Sequence, residues 1–147
     1  MNENIKPPKT LAPKPKSFIG LPVCTNWAEL KADAVLFGVP HGKPYFEKNF
    51  PNDQSRAPFA LRSASDRIVV GVDSVNMDYS CSPSLSKGIT LIDGGDIALE
   101  EGKLDKHYSQ AEDAVRYALK NSIMPISIGG DDGVTNPVLR GLDVCEN

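Results

Sequence analysis

The chain has 147 residues, 40% of them apolar and 24% charged, the make-up of one globular domain of ordinary size. A net charge of −3 at pH 7 argues against nucleic acid as a partner. No apolar run approaches the roughly 20 residues that a membrane span needs.

The N-terminal residues "MNENIKPPKTLAPKPK" carry lysines with no apolar stretch behind them, so they do not read as a secretory signal. Residues 6–16 set four prolines among four lysines. Fixed φ angles and missing amide donors favour an extended arm over a packed element. The expectation is a disordered Pro/Lys-rich arm over 1–17, followed by an α/β domain over 18–147; a peptide ligand or a subunit-embracing arm is the functional alternative. Cys24, Cys81 and Cys145 are far apart and form neither a disulfide framework nor a zinc site. Reduced thiols in a cytoplasm are expected.

Ordered structure is predicted from "FIGLP" onward. In "TNWAELKAD", Asn26 and Glu29 have the spacing of a capping box for a short helix, with Trp27 a core or interface residue. Ala34–Val39, "AVLFGV", is a continuous apolar run, as in a strand buried on both faces. A long loop follows, rich in proline and without apolar periodicity. "RAPFALRSASD" predicts a helix starting at Pro58, where a missing N–H costs nothing. "RIVVGV" reads as a strand and "SCSPSLSKG" as a loop. Ile89–Ile92 predicts a strand ending in an Asp-Gly-Gly-Asp turn.

"YSQAEDAVRYALKNS" predicts an amphipathic helix, opened by Ser109 and Glu112 as a capping box. Ala111, Ala114, Val115, Ala118 and Leu119 fall on one face of it. "IMPISI" predicts another buried strand. Strand, helix and strand with short connections read as a βαβ unit in a parallel sheet. His107, before the capped helix, is expected at the surface.

"ISIGGDDGVTNP" sets two adjacent aspartates behind two glycines at the carboxyl end of that last strand. Open α/β sheets bind ligands along this edge. Oxygen donors gathered there suit hard divalent cations. Equally, Asp131 and Asp132 could cap the helix near Pro137 or bond the turn's own amides.

Several segments resemble a known family. "GGDDG", Gly129 to Gly133, is similar to the Gly-Gly-Asp-His-Ser motif of the ureohydrolases, the arginase and agmatinase family, and "VTNPVLRGL" to the helix behind it. "FIGLP", "ADAVLFGVPHGKPY", "RAPFALRSAS" and "LIDGGDI" resemble, in order, the agmatinase opening segment, first strand with its Gly-Val-Pro loop, Gly-Pro-x-x-Ile-Arg-x-x-Ser segment and Asp-x-Gly-Asp strand end. Together they span residues 18–142. The resemblance implies a three-layer α/β/α sandwich with a mostly parallel sheet. It also implies hydrolysis of a guanidino carbon–nitrogen bond, with Mn2+ or Ni2+ activating water, and assembly as a homo- or hetro-oligomer of ureohydrolase-family subunits.

By that resemblance, Asp132 stands where the family has its metal-ligand histidine. Gly129, Gly130, Asp131, Asp93 and Asp96 make the supporting turns, and His41 lies at the substrate entrance, a solvated loop histidine being its other reading. An aspartate at 132 is expected to weaken or remove the metal position. The family's other ligand segments, Asp-Ala-His-x-Asp and Ser-x-Asp-x-Asp, do not occur in these 147 residues. The expectation is the N-terminal half of a ureohydrolase fold, not catalytic by itself.

Three alternatives remain. One is a ligand-deficient subunit of a heteromeric guanidine or biguanide hydrolase. Another is a nucleotide-binding kinase, since "GGDDGV" loosely resembles the Gly-Gly-Asp-Gly-Thr motif of NAD and diacylglycerol kinases. The third is a structural interaction protein.

Overall fold

The computed structural model describes residues 5–42, 53–65, 88–99 and 103–145. The expected strand "RIVVGV", the loop "SCSPSLSKG" up to Lys87, most of the long loop after His41, and Cys81 lie outside the described residues.

The core of the fold is a four-stranded sheet in the order β1-β3-β2-β4, formed by β1 (Thr10–Leu11), β2 (Ala34–Val39), β3 (Leu91–Ile97) and β4 (Met124–Gly129). β2 is parallel to both neighbours, and β1 runs antiparallel to β3. Every residue of β2 is buried, as its continuous apolar run requires. Its side chains alternate between faces. Val35, Phe37 and Val39 join the core with Ala111, Ala114, Val115 and Ala118 of α2 (Leu104–Lys120). The opposite face, at Gly38, lies against Pro58 of α1 (Ala57–Ser65). Helix, sheet and helix thus form three layers.

Several expectations are corrected. Within the stretch expected to be a disordered arm, Thr10 and Leu11 pair with Ile97 and Asp96 of β3. That pairing also explains why β3 does not end at Ile92. The Asp-Gly-Gly-Asp segment is part of the strand, which carries on to Ile97 with β1 on one side and β2 on the other. The register jumps from Leu36↔Asp93 to Gly38↔Asp96, a bulge whose extra residue is accommodated by Gly95 at φ +81°.

Residues 27–29 form one 3-10 turn with no side-chain cap; Asn26 donates to the Glu29 carboxylate at 2.8 Å rather than to an amide. The turn is too short for a capping box, because Leu30 already has extended backbone. Trp27 is core, as expected: its indole N–H donates to the Gly94 carbonyl at 3.0 Å. Helix α2 starts five residues before the predicted capping box, so Ser109 lies inside it. Tertiary burial of its first turn overrides the local capping signal.

β4 is not a buried strand but the edge of the described sheet, with Met124 65% and Ile126 37% exposed. The strand–helix–strand reading holds in its direction, β3 and β4 both being parallel to β2, although β2 lies between them. No helix among the described residues is long and apolar enough to cross a membrane.

Candidate functional site

The parallel strands β2, β3 and β4 deliver their carboxyl ends to one edge. After β2 come Pro40 and His41, after β3 comes Ala98, and β4 runs at its last residue into the turn Gly129 to Gly133. The first turns of α2 supply His107 and Tyr108 to the same place.

The loop after β2 is pressed onto the glycine turn. The Asp131 amide donates to the His41 carbonyl at 3.2 Å. A Cβ on Gly130 would sit 1.6 Å from that carbonyl oxygen, so only glycine fits. Asp131 caps the 3-10 turn Asp132–Val134, its Oδ1 accepting from the Gly133 amide at 3.0 Å. Its Oδ2 lies 3.8 Å from His41 Nε2, and its side chain is only 5% exposed. Asp132 is exposed. The two adjacent carboxylates therefore part company: Asp131 holds the turn and Asp132 faces outward.

His41 is buried, not a solvated loop residue. The Tyr108 ring meets its imidazole edge-on at 5.0 Å, and the His107 ring is 6.4 Å away. His107 was expected at the surface; it is buried, because α2 begins early enough to carry it under the ends of β2 and β3. Burial pushes its pKa down, as does His41, against the favourable carbonyls of Ala98 and Pro40. Burial, with Asp131 and Asp132 nearby, pushes the Tyr108 phenol up.

Asp93 and Asp96 do not join this turn, since β2 separates β3 from β4. They belong instead to a staple that sequence reasoning missed. The buried Arg62 of α1 donates from Nε and Nη2 to Asp93, each at 2.9 Å, and from Nη1 to Asp96 at 2.5 Å. Asp93 also accepts from the amides of Phe18 at 2.9 Å and Gly95 at 3.0 Å. Burial alone would lower the guanidinium pKa, but the bonds to Asp93 and Asp96 outweigh it and hold it above its usual value. Burial raises the Asp96 carboxyl despite Arg62. An arginine within the otherwise small and apolar "PFALRSAS" was the available signal.

A hard carboxylate such as Asp132 suits a divalent cation in kind. The number of donors does not suffice: among the described residues, no group of three or more His, Cys, Asp or Glu side chains is arranged to hold a metal. These residues therefore do not by themselves compose a metal centre.

A family model described as the arginase family matches residues 32–145. Comparison with curated proteins finds no match. Among solved structures, an arginase-like protein of T. brucei, crystallised as a double mutant, is similar at 17% identity and a TM-score of 0.43. The match covers 88% of this chain and 42% of that one. This chain thus spans less than half the length of that relative.

Proposed function

The chain belongs to the arginase family, and on that premise we propose that it is an agmatinase-like ureohydrolase polypeptide. Its activity would be metal-dependent hydrolysis of a guanidino carbon–nitrogen bond. In this reading the 147 residues build one edge of the site, and donors from elsewhere complete it. The observation that carries it is the outward-facing Asp132 on the glycine turn at the carboxyl end of β4, where the family motif presents a metal-ligand histidine. The chain's own contribution is positional. Asp131, the His41 carbonyl and Gly130 fix the turn, while the His41 and Tyr108 rings wall its side.

A second reading is favoured by the same turn. Asp132 in place of histidine, beside an Asp131 already committed to Gly133 and His41, suits a ligand-deficient subunit that pairs with a ligand-complete one. Such a subunit keeps fold and interface while losing donors.

The test is release of urea, counting guanylurea as urea for the biguanide, from agmatine, guanidinobutyrate, guanidine and a biguanide, with Mn2+ or Ni2+ added. The 147-residue chain alone should release none, and the protein at its natural length, isolated from its own cells with any bound subunits, should release urea from at least one. Urea from the lone chain would overturn the positional role. No urea in either setting would overturn the hydrolase reading and leave the scaffold.

A further inference from the structure

We infer that His107 is a proton-operated latch, tying the start of α2 to the carboxyl ends of β2 and β3 and, through His41, to the turn after β4. The ring is 1% exposed, and its Nδ1 lies 3.4 Å from the Ala98 carbonyl. A carbonyl only accepts, so the neutral ring carries its proton on Nδ1. Nε2 is then a buried lone pair with no hydrogen-bond partner among the described residues. An unsatisfied buried polar atom of this kind is costly and calls for a reason. The Pro40 carbonyl is the second backbone group that favours a charged ring. One neutral imidazole cannot donate to both carbonyls; an imidazolium can.

Against those two carbonyls, burial and neighbouring charge oppose a charged ring. Burial is the largest effect, and His41 faces the ring from the loop after β2. His107 is the fourth residue of α2, at the positive end of the helix dipole. Tyr108 neighbours it at 6.5 Å, and within one turn of the same helix lie Lys103 and Lys106 together with the opposite charge of Asp105. From β3, the Asp96 carboxylate is bound to Arg62. From the turn after β4, Asp131 faces His41, and the field of Asp132 falls on Tyr108. The closed latch therefore holds a neutral His107, and acid favours its opening. Between the folded pKa and the ordinary value of about 6.5, the opened form binds more protons, so closure strengthens as pH rises through that window. Opening would withdraw the packing behind His41, whose carbonyl receives the Asp131 amide.

The experiment is NMR titration of the histidine rings on the protein at its natural length, with His107 assigned by His107→Gln. Amide exchange of Asp131, corrected for intrinsic chemistry, is followed over the same pH range. His107 should titrate below an ordinary histidine, with a several-fold rise in Asp131 exchange at the same midpoint. In His107→Gln the exchange profile should be flat. Exchange that ignores the His107 midpoint, or an unchanged profile in the variant, would overturn the latch. If the variant fails to fold, wild-type protein decides alone: coincident midpoints support the latch and separated ones refute it. None of these readouts depends on hydrolase activity.

Discussion

Arg62 and Asp93 form a two-pronged, fully buried ion pair, Nε on Oδ2 and Nη2 on Oδ1, both at 2.9 Å. The remaining prong of the guanidinium takes Asp96. Asp93 in turn receives the Phe18 amide, so one carboxylate joins α1, β3 and the 3-10 turn Phe18–Gly20. Arg62→Leu leaves that carboxylate buried without its counter-charge, with an expected loss of about 3–5 kcal/mol in unfolding free energy. Arg62→Lys should also be costly, because an ammonium cannot reproduce the fork. Urea unfolding followed by the fluorescence of Trp27, the chain's single tryptophan, measures both. A loss under about 1 kcal/mol in the leucine variant would contradict the staple.

Gly130→Ala places a methyl group 1.6 Å from the His41 carbonyl oxygen and 2.7 Å from that of Gln54. Backbone atoms on both sides cannot step aside separately, so a loss of about 1–3 kcal/mol or more is expected. Gly129→Ala meets first the Val134 side chain, at 3.0 Å, and should cost less. Thermal midpoints of the two variants, compared side by side, check the order.

The two neighbouring aspartates should behave differently. Asp131→Ala removes the acceptor of the Gly133 amide, and loss of such a cap costs about 1 kcal/mol. Asp132→Ala, at an exposed position, should stay within about 0.5 kcal/mol. Equal losses in denaturant unfolding would show that the turn does not divide their roles.

Tyr108 supplies a test in alkali. Burial, then Asp131 and Asp132, hold its phenol above the ordinary value of about 10. The unfolded phenol thus ionises first. Its contribution to stability is complete below about pH 10 and lost as pH rises through the higher folded value. Asp132→Asn removes one of the negative neighbours and should move the phenolate absorbance midpoint downward. Difference spectra against Tyr108→Phe isolate this residue from the other three tyrosines.

Much of the scaffold was legible because burial patterns are local. Ala34–Val39 reads as a strand hidden on both faces, and the spacing of Ala111, Ala114, Val115 and Ala118 already marks the face of α2 that packs. The order of segments such as "FIGLP", "LIDGGDI" and "GGDDG" also pointed to the family that the match over residues 32–145 shows.

The partners of polar side chains were not legible, because they depend on which strands become neighbours. Sequence alone treats Asp93, Asp96, Asp131 and Asp132 as similar carboxylates near glycines. The order β1-β3-β2-β4 puts β2 between the two pairs, gives the first pair to Arg62 and splits the second at the turn. His107 likewise changed from an expected surface residue to a buried one once the start of α2 was drawn under the strand ends. Periodicity records which side chains leave water, a property each segment carries alone. Charge pairing and burial of single polar groups arise only where distant segments meet, and only the tertiary structure decides them.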